Sequence, residues 1–376
     1  MKKARLKILH VVFSLEPGGM ENGLVNIARR LDPEEFEIHV CCLERGGAFV
    51  ERLIEPGNLS ILNKDPGFSP RIVYQLARVI SRVKPHVVHS HNLGPLIYSS
   101  LATAMGLSHP LLHGEHGIPV AQRKKKFMRQ RRFFYRCCKR VQAVSRGLRQ
   151  DLIDFGMPAE KIIVVLNGIE TERFAPLPSQ IARERIRLPL QGPVLGIVGR
   201  FDRSKRHLDV IEAFNHLSKE FPSAQLLMVG DGGDIRAEVI SRVASSPAAN
   251  RIHLAGFQKE PQIFYPAMDL LVSTSISEGL SNVILEAMSC GIPVLAHTAC
   301  GNSELIINGE NGITTDLATV DDLLKALKNI LADSEKLSRM GQSARKHVVE
   351  HFFIEGAVQN YAKLYREMAG QKFNST

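Results

Sequence analysis

No uninterrupted apolar run in the 376 residues reaches the ~18 positions that a membrane-spanning helix needs. Helical membrane spans are therefore not expected. The six cysteines, Cys41-Cys42, Cys137-Cys138, Cys290 and Cys300, lack the two-residue spacing of zinc and thioredoxin-like sites. Adjacent cysteines seldom pair with each other, so a reduced chain without a structural metal is expected. Aspartate-x-aspartate is absent throughout, which favours a metal-free site. Lys2, Lys3 and the largely apolar residues 8–13, which include His10, faintly resemble a secretion leader. They run into Glu16-Pro17-Gly18-Gly19 without a small-residue cleavage site, and residues 8–13 read instead as a first buried strand.

Acidic side chains are missing from one long stretch. Between Pro66 and Gln150 only Glu115 is acidic. Residues 1–170 carry 26 basic and 15 acidic side chains, whereas residues 171–376 carry 22 and 23, so the first half holds all of the net charge of +10. One face of one domain is expected to meet an anionic partner.

What the chain has in abundance is short runs of Val, Ile and Leu alternating with helical patterns. Strands are predicted at residues 8–13, 38–43, 87–90, 111–114 and 140–144, and again at 194–198, 225–229, 252–255, 270–273 and 293–296. Such alternation specifies α/β architecture with two doubly wound parallel sheets and a cleft between them. Ligands of such sheets collect at the carboxyl ends of the strands. Turn formers cluster from Asn167-Gly168 through Pro176 and Pro178 to Gly192-Pro193, where the domains are expected to join. A helical tail covers residues 320–368.

The densest chemistry lies in residues 277–288, Ser-Glu-Gly-Leu-Ser-Asn-Val-Ile-Leu-Glu-Ala-Met. Ser281 or Asn282 is a suitable N-cap for a helix over 283–289 that Gly291 and Pro293 stop. Glu278 then precedes the helix and Glu286 lies in its second turn. The first-turn N–H groups and the positive end of the helix dipole make an anion site flanked by two acceptors, which suits a diphosphate between two polyols. Gly199-Arg200-Phe201-Asp202-Arg203-Ser204-Lys205 follows a strand directly, so Arg200 and Lys205 can point two cations at one anion. Gly18-Gly19 follows the first strand and opens an amphipathic helix. Gly230-Asp231-Gly232-Gly233-Asp234-Ile235 fails as a dinucleotide fingerprint because Ile235 stands in place of the third glycine. His89-Ser90-His91 and His113-Gly114-Glu115-His116-Gly117 sit at strand ends; hydrogen bonding, with His116 touching substrate, is preferred to a metal site.

Together these residues resemble the retaining glycosyltransferases of family four, with the GT-B fold, over nearly the whole chain. The E-x7-E pair Glu278 and Glu286, Arg200 with Lys205, the glycine pair, the His-Gly after the fourth strand and Asn167-Gly168-Ile169-Glu170-Thr171-Glu172-Arg173-Phe174 carry the likeness. Glu-Asn-Gly-Leu-Val-Asn after the glycine pair and His-Gly-Glu-His-Gly look most like sugar transferases of bacterial exopolysaccharide clusters. The resemblance implies that Arg200 and Lys205 bind the diphosphate, and that Glu286 holds the ribose hydroxyls. Glu278 and the backbone of Gly279 and Leu280 would take the donor sugar, with Ser281 and Asn282 tuning donor choice. Gly18 and Gly19 would approach the donor phosphates or the acceptor, and His116 the sugar near its reacting carbon. Gly199, Gly230 and Phe257 would complete the donor site. No cofactor is implied, since the nucleotide-sugar is a substrate.

The expected organisation is an acceptor-binding domain over 1–172, a linker over 173–192, a nucleotide-sugar-binding domain over 193–350, and a helix over 351–376 returning to the first domain. Residues 122–140 read as an amphipathic basic helix with Lys125, Arg129, Arg132, Arg136 and Arg140 at helical intervals and Phe127, Phe134, Cys138 and Val141 on another face. A solvated face, nucleic acid and an anionic membrane compete for it, and a lipid-linked acceptor favours the membrane over nucleic acid. The expected function is hexose transfer from a UDP- or GDP-sugar to a glycan or lipid-linked acceptor, in the cytoplasm or at the inner face of the plasma membrane. The alternatives are a soluble small-molecule acceptor and a non-enzymatic sugar-binding relative.

Overall fold

The computed structural model describes residues 5–370 apart from 54, 107, 108, 299 and 300. Lys2, Lys3, Cys300 and residues 371–376 lie outside the described residues. The chain forms two compact units, Met1–Gly168 with Ile354–Thr376, and Ile169–Phe353.

The first unit is built on a parallel sheet of β1 (Leu6–Val12), β2 (Phe36–Cys42), β3 (Leu59–Ile61), β4 (Val87–His91), β5 (Leu111–Glu115), β6 (Arg140–Ala143) and β7 (Ile162–Val164). The order across it is β3-β2-β1-β4-β5-β6-β7. Ile8 pairs with Ile38 on one side and Val87 on the other, so the order reverses at β1. The second unit holds β8 (Val194–Val198), β9 (Gln225–Val229), β10 (Ile252–Gly256), β11 (Leu270–Ser273), β12 (Val294–His297) and β13 (Ile313–Thr315), ordered β10-β9-β8-β11-β12-β13. Here the order reverses at β8.

Helices cover both faces of such sheets, so the central strands are apolar along most of their length. In the second unit Leu195, Ile197, Leu226, Met228, Leu270 and Val272 pack with Val210, Ile211, Phe214 and Leu217 of the helix His207–Glu220. Leu323, Leu327 and Ile330 of the helix Val320–Leu331 join the same core. Their spacing of three and four residues puts each set on one face. Thr319 and Asp322 close a reciprocal capping box that fixes where the second of these helices starts.

The ten predicted strands are present with ends shifted by at most two residues. β3, β7 and β13 are additional. Each has three residues at a sheet edge and is only partly buried, too short to show a periodic pattern. The helical tail is three helices, Val320–Leu331, Ser334–His351 and Ile354–Met368. The stretch 173–192 contains the helix Ser179–Ile186, anchored through Arg183 to the Asp269 carboxylate at 2.6 Å, so it belongs to the second unit rather than forming a separate linker.

The chain enters and leaves the second unit at neighbouring points, where Ile169 N–H donates to the Phe352 carbonyl at 2.8 Å. Helix Ile354–Met368 then packs Ile354, Ala357, Tyr361, Leu364, Tyr365 and Met368 against Leu6, Ile8, Ile27, Phe36 and Val87. Arg366 clamps Glu35 with two bonds of 2.6 Å, and Lys139 caps the Met368 carbonyl at 3.0 Å. The last helix is thus part of the first unit's core. Leu364→Ala is expected to cost about 2–5 kcal/mol. Hydrogen exchange should show faster opening of β1 and β4 but unchanged β8 and β11; uniform acceleration would contradict the division.

Candidate functional site

In the second unit three strands end in glycine or run directly into it, and their ends are bonded in sequence. Gly199 N–H donates to the Val229 carbonyl and Gly230 N–H to the Gly256 carbonyl, both at 2.9 Å. Gly230 has φ +139°, and a Cβ there would lie 2.0 Å from the Gly199 carbonyl oxygen, so the turn after β9 admits no side chain. This close approach seats the loop 199–206 above β8. The loop is also tied to the segment after β11: Thr274 Oγ1 donates to the Lys205 carbonyl at 2.6 Å, and Ile276 N–H to the Ser204 carbonyl at 3.1 Å.

These ties bring Lys205 to Glu278. Its ammonium donates to Glu278 Oε1 in a pair with both side chains mostly buried. Arg200 is placed differently. It pairs with Asp202 at 2.8 Å, and its side chain is 67% exposed, so it stands in solvent. Phe257, one residue past β10, is also exposed. Helix Asn282–Ser289 begins one residue earlier than predicted, with Ser281 at the N-cap; Ser281 is buried but its side chain makes no capping hydrogen bond. Gly279 and Leu280 are buried beside it.

Glu286 lies in the second turn, 8% exposed, and accepts a hydrogen bond from the Tyr265 hydroxyl. Burial raises its carboxyl to about 7 against the pull of Tyr265 and Arg173. Tyr265 is itself fully buried and stacks edge-on against Phe174. Sequence reading missed Tyr265, because a lone tyrosine 21 residues before a glutamate carries no spacing signal.

In the first unit the predicted histidines converge. Gly19 and His116 line one cavity with His10, His89, His91, Asn167 and Tyr365. Gly18 is the N-cap of helix Gly19–Arg30. His10 Nδ1 and His91 Nε2 are 2.9 Å apart, as are His91 Nδ1 and His116 Nε2. The Tyr365 hydroxyl lies 3.0 Å from His89 Nδ1 and 3.5 Å from His10 Nε2. Burial first, then the neighbouring rings, push His10, His89 and His91 down, His10 to about 3; burial brings His116 to about 4 against the pull of Glu115, so all four are neutral near pH 7. His10, His89 and His91 also offer one nitrogen each within 4.8 Å, as cation ligands do. Two of those rings already bond each other, and the trio contains no carboxylate to offset a buried cation.

Glu115 is fully buried. Burial would raise its carboxyl; His113, whose Nε2 lies 3.6 Å away, and Arg131 at 2.8 Å hold it at about 2. Tyr135 adds a hydrogen bond of 2.8 Å. Arg131 lies within the basic segment and corrects its reading. The helix is Lys125–Tyr135, not 122–140; Gln122 ends a preceding 3-10 turn, Arg136 is the C-cap and Arg140 opens β6. Its inward stripe is Met128, Arg131 and Tyr135, whereas Phe127 and Phe134 are half-buried. Lys125, Arg129, Arg132, Arg136 and Arg140 are all exposed, and Phe133 beside them is 61% exposed. With Glu115 inside, residues 66–150 present no acidic side chain to solvent.

Because folding raises the Glu286 carboxyl, its contribution to stability is present below about pH 4.5 and is lost as pH rises through about 7. Thermal unfolding between pH 5 and pH 8 should show that decline, and Glu286→Gln should flatten it. An identical pH dependence in the variant would contradict the assignment.

A model of the group 1 glycosyl transferases matches residues 179–347, and one of glycosyltransferase family 4 matches residues 17–173. The chain is 24% identical over 390 aligned residues to the UDP-Gal:alpha-D-GlcNAc-diphosphoundecaprenol alpha-1,3-galactosyltransferase of Escherichia coli, covering 98% of this chain and 99% of that one. It is 28% identical to the lipopolysaccharide core biosynthesis glycosyltransferase LpsE of Rhizobium meliloti (strain 1021), over 58% of this chain and 61% of that protein. Among solved structures, Anabaena HepE in complex with UDP and glucose superposes with a TM-score of 0.84 at 23% identity, covering 96% and 99% of the two chains. With two Rossmann-like parallel-sheet units and family models spanning both, this chain belongs to the family-four glycosyltransferases of the GT-B fold.

Proposed function

We propose that this enzyme is a retaining hexosyltransferase that takes a UDP- or GDP-sugar, without a metal ion, and transfers the sugar to a lipid-linked glycan of bacterial exopolysaccharide, capsule or lipopolysaccharide. The observation that carries the reading is the Lys205–Glu278 pair beside the start of helix Asn282–Ser289, at the carboxyl ends of β8 and β11. It sets a cation, a helix N-terminus and an acceptor for sugar hydroxyls within one loop cluster. The similar Escherichia coli enzyme is named for a UDP-galactose donor and a diphosphoundecaprenol acceptor, which supports the donor and acceptor classes.

Cleaving the sugar–phosphate bond leaves negative charge on the nucleotide and positive charge on the sugar. Arg200, Lys205 and the helix end answer the first. Arg200 reaches the diphosphate by leaving Asp202, an exchange of one exposed pair for another that costs little. Retention follows from a front-face route. The anomeric carbon–oxygen bond to phosphate breaks, the acceptor oxygen bonds to the same face, and the departing phosphate oxygen takes the acceptor proton. Glu278 binds donor-sugar hydroxyls and Glu286 the ribose; neither is a nucleophile. Ser281, Asn282, Gly279 and Leu280 shape the sugar pocket, with Gly199, Gly230 and Phe257 near the base and phosphates. No helix among the described residues is long and apolar enough to cross a membrane. The exposed basic groups of residues 125–140, with Phe133 among them, dock on the anionic inner face of the plasma membrane, each basic group contributing ~1 kcal/mol.

Lys205→Ala and Arg200→Ala should each lose roughly 100- to 1,000-fold in kcat at saturating donor. Near-normal turnover in either would remove that residue from the mechanism. Glu278→Gln should raise the donor KM and leave no glycosyl adduct in the intact mass; an adduct would establish a covalent route instead. Sedimentation with anionic vesicles should be strong at low salt and weak at high salt, whereas equal sedimentation with neutral vesicles would remove the electrostatic argument.

A further inference from the structure

The hydrogen-bonded rings leading to His116 do more than fill the core. Each ring is neutral and so carries one ring proton. Two contacts of 2.9 Å therefore allow two arrangements of the ladder. In the first, His10 Nδ1–H donates to His91 Nε2 and His91 Nδ1–H donates to His116 Nε2, which leaves the His116 proton on Nδ1. In the second every proton is reversed, and His116 Nδ1 is bare. The ring of His116 is thus a donor or an acceptor at Nδ1 according to where His10 holds its proton.

Tyr365 and His89 decide between them. In the first arrangement His89 Nδ1–H donates to the Tyr365 oxygen and the Tyr365 hydroxyl donates to His10 Nε2. His89 Nε2 is then a bare acceptor. In the second, His10 Nε2–H donates to Tyr365, Tyr365 donates to His89 Nδ1, and His89 Nε2 must carry a proton. His89 is completely buried, and its Nε2 has no hydrogen-bond partner among the described residues. Gln142 Oε1, also buried and unpartnered, makes no bond with it. A buried N–H without an acceptor is the rarer and costlier defect, so the first arrangement prevails.

The geometry points to His10, His91 and Tyr365 as positioning residues that hold His116 as its Nδ1–H tautomer, a neutral hydrogen-bond donor toward an oxygen of the donor sugar. This rests on the role that the family resemblance implies for His116 in the transferase proposed above, contact with that sugar. The relay begins on the last helix, since Tyr365 belongs to Ile354–Met368, and passes through β1 and β4 before reaching the residue that follows β5.

Histidine-selective nitrogen-15 spectra of the whole chain report the protonated nitrogen ring by ring, and the expectation is Nδ1–H on His10, His91 and His116. Tyr365→Phe uncouples His10 from His89 and leaves room for a water that can accept from His10 Nε2–H or donate to bare Nε2, so His116 should then populate both tautomers. Its kcat should fall roughly 10- to 100-fold with the donor KM within about twofold, as when the partner that orients an imidazole is lost. His10→Ala, which leaves room for water at His91 Nε2, should do the same. His10→Asn, whose amide nitrogen can replace Nδ1 as the donor to His91, should restore most of the turnover and the single tautomer. The inference is overturned if His116 carries its proton on Nε2 in the unmodified chain, or if its spectrum is unchanged in both Tyr365→Phe and His10→Ala. Stoichiometric zinc in the purified protein, removable by chelation with a change in these rings, would overturn it too. Wild-type turnover in His116→Ala would defeat the sugar contact alone, and the spectra would still decide the ladder.

Discussion

A parallel strand covered by helices on both faces has no water to hold a charge, and the placement of function in this chain follows from that constraint. Over most of β8 and β9 the side chains are apolar, and polar chemistry begins at the first residues past their carboxyl ends. Gly230 stands there because a Cβ would collide with the Gly199 carbonyl, and Gly199 because its φ of +145° disfavours a side chain. The same turns carry Lys205 to Glu278. Ion pair, helix start and glycine turns are consequences of one requirement: a twisted sheet that excludes water along its strands and releases the chain at one edge.

The first unit departs from this rule at β4 and β5, where His89, His91, His113 and Glu115 lie inside the sheet. Burial is tolerated because the polar atoms largely answer one another. Neutral rings pass hydrogen bonds to neighbouring rings, and Glu115 keeps its charge beside Arg131 and Tyr135. Removing one partner from such a set leaves an uncompensated group, which is far costlier than losing the bond itself. The arrangement is rigid for that reason. It also clears the surface: the lone acid of residues 66–150 is withdrawn, and the exposed side chains there are basic or uncharged.

Glu278 and Glu286 show how the same residue type is differentiated by surroundings. Glu278 faces a lysine. Glu286 is buried against Tyr265, and burial holds its carboxyl near neutrality, ready to accept from polyol hydroxyls when ionised or to donate when protonated. Their eight-residue separation places one before a helix and one inside it, which puts them in different dielectric environments.

The order of strands and helices was legible because βα alternation is written in local periodicity, and strands over 225–229 and 270–273 were located to the residue. The edge strands β3, β7 and β13 were not, since three residues hold no period. The glycine turns, Arg200, Lys205, Glu278, Glu286 and His116 could be chosen from sequence because strand-end position is itself a local signal. Arg131 could not. Its helical neighbours share its charge, and only the packing against Glu115 shows that it points inward. His10 and Tyr365 are 355 residues apart, and nothing local connects them. Sequence alone determined the fold class, the family and the set of charged groups at the strand ends, because each depends on residues within one element or one turn. Tertiary structure decided which cation meets which carboxylate, which carboxyl is buried, and which imidazole holds which neighbour, because those depend on burial and on contacts between segments far apart in the chain.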